Sequence, residues 1–249
     1  MKHIVIIIPS YNNKKWHEKN LSSVISQNYN NFSVIYTDDC SGDDTASAVE
    51  SYINKKNLDF NFKLIKNKQR LGAMLNLYNM IHSCNDDDII LTLDGDDWLA
   101  HPNVCEKINT IYSNPNVWFT WGSYVNYPSN QRGCSKPIPR HVLDMNNYRR
   151  QPWCTSHLRT FYAKLFKNIK KEDFYGPNGK WLDVAWDLSF YFPFVEMGGH
   201  KGRYINEILY MYNCDNPIQD YKIKLQEQMA MDRYIRTKKP YTRLSKLFD

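Results

Sequence analysis

Ile4-Val5-Ile6-Ile7-Ile8-Pro9-Ser10-Tyr11-Asn12 passes from a continuous β-branched run into proline and polar side chains. A run that is apolar at every position, rather than at alternate ones, belongs to a strand buried on both faces. Such strands make up parallel sheets, and open parallel sheets bind ligands at the carboxyl ends of their strands. Pro9-Ser10-Tyr11-Asn12 stands at that end. Outward from it the same rhythm recurs. Trp16, Leu21, Val24 and Ile25 fall at helical spacing, and residues 32–37 return to a strand pattern ending at Asp38-Asp39. Asp43 and Asp44 lie where a helix N-terminus favours negative charge, ahead of Ala46, Val49 and Ile53. Residues 62–65 read as a third strand, and Leu71, Met74, Leu75, Tyr78 and Ile81 mark a helical stripe. Residues 89–93 form a fourth strand, closed by Asp94-Gly95-Asp96-Asp97. Four alternations of strand and helix predict an α/β fold with right-handed crossovers.

Beyond residue 100 the rhythm loosens. Pro102 opens a helix reaching Ser113, and residues 117–124 form an aromatic strand. Residues 126–152 are polar, rich in proline and asparagine, and without a period; so long a loop in a compact domain is functional or mobile. Residues 180–200 are helical, with Pro193 expected to kink or end the helix. A strand over 203–212 and a terminal helix over 219–236 follow. No internal repeat or low-complexity linker divides the chain.

The formal charge of +6 suits anionic ligands in general and does not single out nucleic acid, so no nucleic-acid partner is expected. Arg233, Arg236, Lys238, Lys239, Arg243 and Lys246 supply part of that charge as a solvated C-terminal surface. With Tyr234, Ile235, Leu244, Leu247 and Phe248, this segment is a candidate for peripheral membrane contact or homodimer formation. The plainer alternative is a terminal helix packed on its own domain. The six cysteines are scattered, with neither a Cys-x-x-Cys pair nor a Cys/His cluster, which argues against structural zinc. The first apolar run is too short for a signal-peptide core or a membrane span, and no other stretch approaches eighteen apolar residues. The expectation is a soluble cytoplasmic chain with free thiols.

Three polar strand ends therefore converge on one sheet edge: Pro9-Ser10-Tyr11-Asn12, Asp38-Asp39 and Asp94-Gly95-Asp96-Asp97. A single acidic strand end reads equally as a helix cap; three together define a site. Carboxylates two apart in a turn can face one cation, and magnesium or manganese prefers hard oxygen ligands shared with phosphate. Gly95 keeps the turn open for a diphosphate to approach the backbone. Trp98 reads either as a cap on the site or as core.

Taken together, Ile6-Ile7-Ile8-Pro9-Ser10-Tyr11-Asn12, Ser26-Gln27, Asp38-Asp39-Cys40-Ser41-Gly42-Asp43-Asp44-Thr45 and Leu93-Asp94-Gly95-Asp96-Asp97 resemble the family 2 glycosyltransferases of the GT-A fold. Order and separation agree over residues 1–125. The resemblance implies a Rossmann-like, mixed but mostly parallel sheet flanked by helices in a single domain over 1–218. Its nucleotide-binding half spans 1–100 and its acceptor and catalytic half 101–218, followed by a helical basic extension over 219–249. It implies inverting, metal-dependent transfer of a hexose or N-acetylhexosamine from a UDP-sugar to a hydroxyl. The acceptor would be a glycan, lipid-linked sugar or protein, in glycan or polysaccharide synthesis. Pro9 and Tyr11 would line the base, Asp39 would accept a hydrogen bond from uracil, and Arg70 would lie near the nucleotide. Asp94 would contact ribose or donor sugar, Asp96 would be the main Mn2+ or Mg2+ ligand, and Asp97 would assist.

In the second half, Trp186-Asp187 matches the place of the family's Glu-Asp pair, with the aspartate kept as general base and tryptophan in place of glutamate. Asp183 is a competing base. Ser156-His157-Leu158-Arg159 resembles an acceptor-side segment, with His157 touching a donor phosphate or the acceptor. Where some relatives supply a metal-binding histidine, this chain reads Tyr212-Asn213-Cys214-Asp215; either Asp215 substitutes or no protein group does. Tyr and Trp in 118–127 and 153–181 read as sugar-stacking platforms or as core. An aspartate-nucleophile phosphatase would carry its acidic motif after the first strand, and a sugar nucleotidyltransferase would need a Gly/Arg-rich loop there. The remaining alternative is a catalytically inert nucleotide-sugar-binding domain acting as a partner or scaffold.

Overall fold

The computed structural model describes residues 1–58 and 61–248. Among them the strands are β1 (Ile4–Ser10), β2 (Phe32–Asp38), β3 (Phe62–Lys66), β4 (Ile89–Thr92), β5 (Trp98–Leu99), β6 (Phe119–Tyr127), β7 (Gln131–Arg132), β8 (Arg159–Tyr162) and β9 (Gly202–Asn213). The helices are α1 (His17–Ile25), α2 (Thr45–Lys56), α3 (Ala73–His82), α4 (Val104–Tyr112), α5 (Arg140–Asp144), α6 (Ala163–Lys167), α7 (Leu188–Gly198), α8 (Asp220–Ile223) and α9 (Leu225–Thr237). They build one sheet in the order β3-β2-β1-β4-β8-β6-β9-β5, with β7 on β6. The long ladders are parallel. β1 pairs with β2 from Ile4↔Phe32 to Ser10↔Asp38, so the polar ends of the two strands reach the same height. β4 flanks β1 from Ile4↔Ile89 to Ile7↔Thr92, which delivers the acidic turn beside Pro9.

Every residue of β1 is buried, as its unbroken apolar run predicts. The first-half helices cover it with the expected Leu21 and Val24 of α1 and Val49 and Ile53 of α2; in α3 the buried face is Met74, Leu77, Met80 and Ile81, with the expected Leu71, Leu75 and Tyr78 only half-buried. The second half packs aromatic side chains instead, with Phe161 at 4.8 Å from Phe194 and 5.8 Å from Phe190. Every residue of α7 is buried. That burial explains why α7 runs on through Pro193 instead of ending there. A proline inside a helix costs about 3 kcal/mol. Enclosing Phe190, Phe192 and Phe194 returns roughly 1.5–3 kcal/mol each.

The stretch expected to be an unstructured loop over 126–152 contains β7, α5 and a 3-10 turn at Tyr148–Arg150. That turn carries a buried anchor. Arg149 Nη2 donates to Glu196 Oε2 at 3.0 Å inside the protein, and Tyr241 N donates to the same oxygen at 3.0 Å. Arg149 Nη1 donates to Ile235 O at 2.6 Å, and Leu244 N to Met197 O at 2.9 Å. The C-terminal segment is thus belted to α7. Of the side chains considered for membrane or dimer contact, Ile235 and Leu247 are buried against their own domain. Phe248 packs edge-on to Tyr162 at 4.9 Å. Among the described residues no helix is long and apolar enough to cross a membrane.

Arg149→Met would leave the Glu196 carboxylate buried without its cation, and removing one partner of such a pair costs about 3–5 kcal/mol. Urea denaturation should show that loss, with most of it recovered in Arg149→Met/Glu196→Leu.

Candidate functional site

The polar strand ends meet in one open cavity of about 800 Å³, lined by Pro9, Tyr11, Asp39, Arg70, Asp94, Asp96, His157, Asp183 and Asp187 among others. Its floor depends on one glycine. A Cβ on Gly95 would stand 2.5 Å from Ser10 Oγ and 2.7 Å from Asn13 Nδ2, so a side chain there would push the acidic turn off the end of β1. Gly95 N donates to Pro9 O at 3.2 Å, and Asn20 Nδ2 of α1 donates to Asp94 O at 3.0 Å and Asp97 O at 2.8 Å. These bonds clamp the turn from both sides.

Asp39 closes the second strand end. Its Oδ1 accepts from Leu71 N and Asn67 Nδ2, each at 2.8 Å, and its Oδ2 from Gly72 N at 2.8 Å. Burial opposes its ionisation, but the bonds from Leu71, Asn67 and Gly72 prevail and hold its pKa below the ordinary 3.8. The carboxylate therefore organises the loop before α3. That loop presents Arg70, whose guanidinium lies over the Tyr11 ring at 4.0 Å, an exposed cation beside an aromatic face.

The acidic turn divides. Asp94 and Asp96 are half-buried and face the cavity, while Asp97 lies beneath it at 1% exposure. Asp97 Oδ2 accepts from Tyr210 Oη at 2.6 Å and Oδ1 from Asn213 N at 2.7 Å, tying the turn to β9. Burial, reinforced by Asp96 and Asp94, pushes the Asp97 pKa well up against these two bonds. Burial likewise pushes the Tyr210 hydroxyl far up, so it stays protonated as a donor. Trp98 does not line the cavity: it is buried against Tyr127 at 5.1 Å, with the Lys19 ammonium 3.6 Å from its ring.

His157 is buried and stacked on Tyr210 at 4.4 Å and 14°. Burial first, and the Arg159 charge second, hold its pKa well below 6.5, so the ring is neutral. Its Nδ1 has no hydrogen-bond partner. Ligand atoms of Asp94, Asp97 and His157 lie within 4.8 Å of one another. Two carboxylates and a neutral imidazole with a spare nitrogen fit a divalent ion such as manganese. Asp215, the substitute considered for a missing histidine, is exposed and pairs with Lys15 at 3.4 Å. Its neighbour Asn216 instead reaches the site, with Nδ2 donating to Asp96 Oδ2 at 2.7 Å.

On the opposite wall, Asp187 caps α7, accepting from Leu188 N at 3.1 Å, and its other oxygen is paired with the buried Arg159 guanidinium. Asp183 stands farther out, exposed and paired with Lys224 at 2.7 Å. Trp153, Trp186, Ile218, Leu225 and Met229 complete this wall. Sequence reasoning missed Arg159, Tyr210, Asn213 and Asn216, although Arg159 closes the quoted Ser156-His157-Leu158-Arg159 segment. It also missed that Gln219, Leu225, Gln228, Met229 and Asp232 wall the cavity, because amphipathic spacing in a terminal helix does not say which surface it covers.

The sheet order and its ligand edge define a GT-A architecture. Residues 5–175 match glycosyl transferase family 2, and the chain belongs to that family. Over 122 residues it is 34% identical to an uncharacterized glycosyltransferase of Haemophilus influenzae, covering 49% of this chain and 36% of that protein. Over 101 residues it is 31% identical to the poly(ribitol-phosphate) β-N-acetylglucosaminyltransferase TarS of Staphylococcus aureus, covering 40% of this chain and 17% of that one. The matched segments thus span little more than a third, or less, of these relatives. The crystal structure of S. aureus TarS 1–349 in complex with UDP-GlcNAc superposes with a TM-score of 0.65 at 18% identity, over 94% of this chain and 65% of that one. The Pyrobaculum calidifontis mannosyltransferase in complex with GDP-Man and Mn2+ gives 0.63 at 18% identity, over 96% and 66%. These likenesses show the fold.

Asp39 stabilises the folded state above its unfolded pKa, and that contribution is lost as pH falls through its depressed native value. Asp39→Asn should therefore lower Tm at pH 7, and the gap to wild type should close as pH drops below 3.8 in a series of thermal melts.

Proposed function

We propose that this chain is an inverting, metal-dependent glycosyltransferase that moves a hexose or N-acetylhexosamine from a UDP-sugar to an acceptor hydroxyl. One observation carries the reading: the donor-side carboxylates Asp39, Asp94 and Asp96 and the acceptor-side carboxylate Asp187 line a single cavity. Such a cavity suits a nucleotide-sugar on one wall and a hydroxyl on the other. Pro9 and Tyr11 line the base, Asp39 reads a ring N–H, and Arg70 lies by the nucleotide. Asp94 contacts ribose or donor sugar. Asp96 is the main ligand of a manganese or magnesium ion, with Asp97 assisting and His157 in reach of the ion or a donor phosphate. Bound there, the ion neutralises charge on the departing diphosphate. Asp187 takes the proton of the attacking hydroxyl. Trp153 and Trp186, with the apolar rim of Ile218, Leu225 and Met229, receive the acceptor: a glycan, lipid-linked sugar or protein.

One observation favours an inert nucleotide-sugar-binding partner instead. Both Asp187 oxygens are already engaged, by Arg159 and by Leu188 N. Release of UDP from a UDP-sugar panel with manganese separates the two readings; binding without turnover across donors and acceptors supports the inert domain.

Thermal-shift screening against UDP-sugars, with and without manganese, identifies the donor through mass action. Asp96→Ala should abolish the manganese-dependent part of UDP stabilisation, and an unchanged shift overturns the assignment. Asp187→Asn should keep that stabilisation while turnover falls about 10²–10⁴-fold. Full activity in Asp187→Asn would move the base to Asp183 or elsewhere.

A further inference from the structure

Arg159 takes no part in the chemistry proposed above, yet it is the cation set deepest against it. The side chain is 4% exposed. β8 pairs it with Thr92, two residues before Asp94. Its Nη2 donates to Asp187 Oδ2, its Nε donates to Thr155 O at 3.4 Å, and its guanidinium lies 5.7 Å from the Tyr191 ring centre. Burial disfavours its charge, but Asp187 first, then Tyr191, Asp94 and Tyr210, outweigh burial. Burying an ion pair is poor value for stability alone, because two well-packed apolar side chains do as well or better.

The surroundings give the pair another use. Asp187 Oδ1 accepts from Leu188 N at 3.1 Å while Oδ2 is held by the guanidinium, so the carboxylate is clamped at both oxygens. Asp187 remains partly open to the cavity, with 20% side-chain exposure against 4% for Arg159. In sequence, the residue before Asp187 is Trp186, which stacks on Phe190 at 6.1 Å and offers no carboxylate to orient its neighbour. The orienting group comes from β8, where Arg159 opens the strand.

The geometry points to Arg159 as the positioning residue of this site: it acts through Asp187, fixing the direction in which that carboxylate meets the acceptor hydroxyl. This rests on the transferase reading of the cavity. A planar fork can hold a carboxylate oxygen in one plane where an ammonium cannot, so the identity of the cation matters as well as its charge. Misplacing a catalytic group by about 1 Å costs on the order of 10²-fold in rate.

The test follows UDP release from UDP-N-acetylglucosamine and UDP-glucose with manganese, beside thermal shifts with UDP and manganese. Arg159→Met should lower kcat about 10²-fold with the donor KM little changed, and should keep the UDP-dependent shift. Arg159→Lys, which preserves charge and burial, should recover part of kcat and carries the test should Arg159→Met fail to fold. In an Asp187→Asn background, Arg159→Met should cost no more than about twofold further, since groups acting as one unit are not additive. Unchanged kcat in Arg159→Met, or the same factor lost with and without Asp187, overturns the inference and leaves the transferase reading standing. Wild-type chain that releases no UDP, or Asp187→Asn with full kcat, overturns the reading beneath it.

Discussion

The contact between Gly95 and the end of β1 is the constraint on which the site depends. With a hydrogen at that Cα, the acidic turn sits against Ser10 and Asn13; a methyl group would overlap both. That proximity puts Asp94 and Asp96 in one cavity with Pro9 and Asp39, and drops Asp97 underneath, where Tyr210 and Asn213 hold it. The tie through Asp97 brings β9 to the turn, and β9 brings Asn216 to Asp96. One close approach thereby links the first-half strands to the last strand of the sheet.

Electrostatics divide the carboxylates by task. Asp39 is surrounded by backbone and amide donors, which hold its pKa below the ordinary carboxylate value and suit a group that braces a loop. Asp97 is buried among like charges, which raises its pKa and makes it depend on the hydroxyl and amide that meet it. Asp94 and Asp96 keep contact with the cavity. Four aspartates of one residue type thus differ because their surroundings differ: Asp94 and Asp96 open to the cavity, while Asp97 lies beneath it within reach of Asp94 and His157.

The first half was legible in the sequence because its signals are local. A strand apolar at every position, a helical stripe and a polar strand end each lie within a dozen residues, and β1, β2, β3 and β4 fall where those signals put them. The second half was less legible because its decisive contacts are distant. β8 enters the sheet between β4 and β6, pairing Arg159 with Thr92 across 67 residues of chain. Nothing in the period of residues 156–162 names that partner. That Pro193 does not end α7 has a related reason: the local rule against proline in a helix is outweighed by an enclosure made of residues from elsewhere. Asp215 and Asn216 are adjacent in sequence but face Lys15 and Asp96 respectively, a distinction set by how the chain leaves β9.

The belt that Arg149 and Glu196 fasten has a consequence in time. On the Asp39 side of the cavity, β1 meets β2 through contacts close in sequence, which form quickly, but the acidic turn also waits for Tyr210, Asn213 and Asn216. The opposite wall of the same cavity is built from Gln219, Leu225, Gln228, Met229 and Asp232, held down by a segment that reaches back to α7. During synthesis, the bond from Tyr241 N to Glu196 that belts the segment behind that wall can form only after residue 241 has been made, later than the β9 contacts that brace the acidic turn. The two walls of the cavity thus receive their last ties in sequence, the α9 side after the acidic turn.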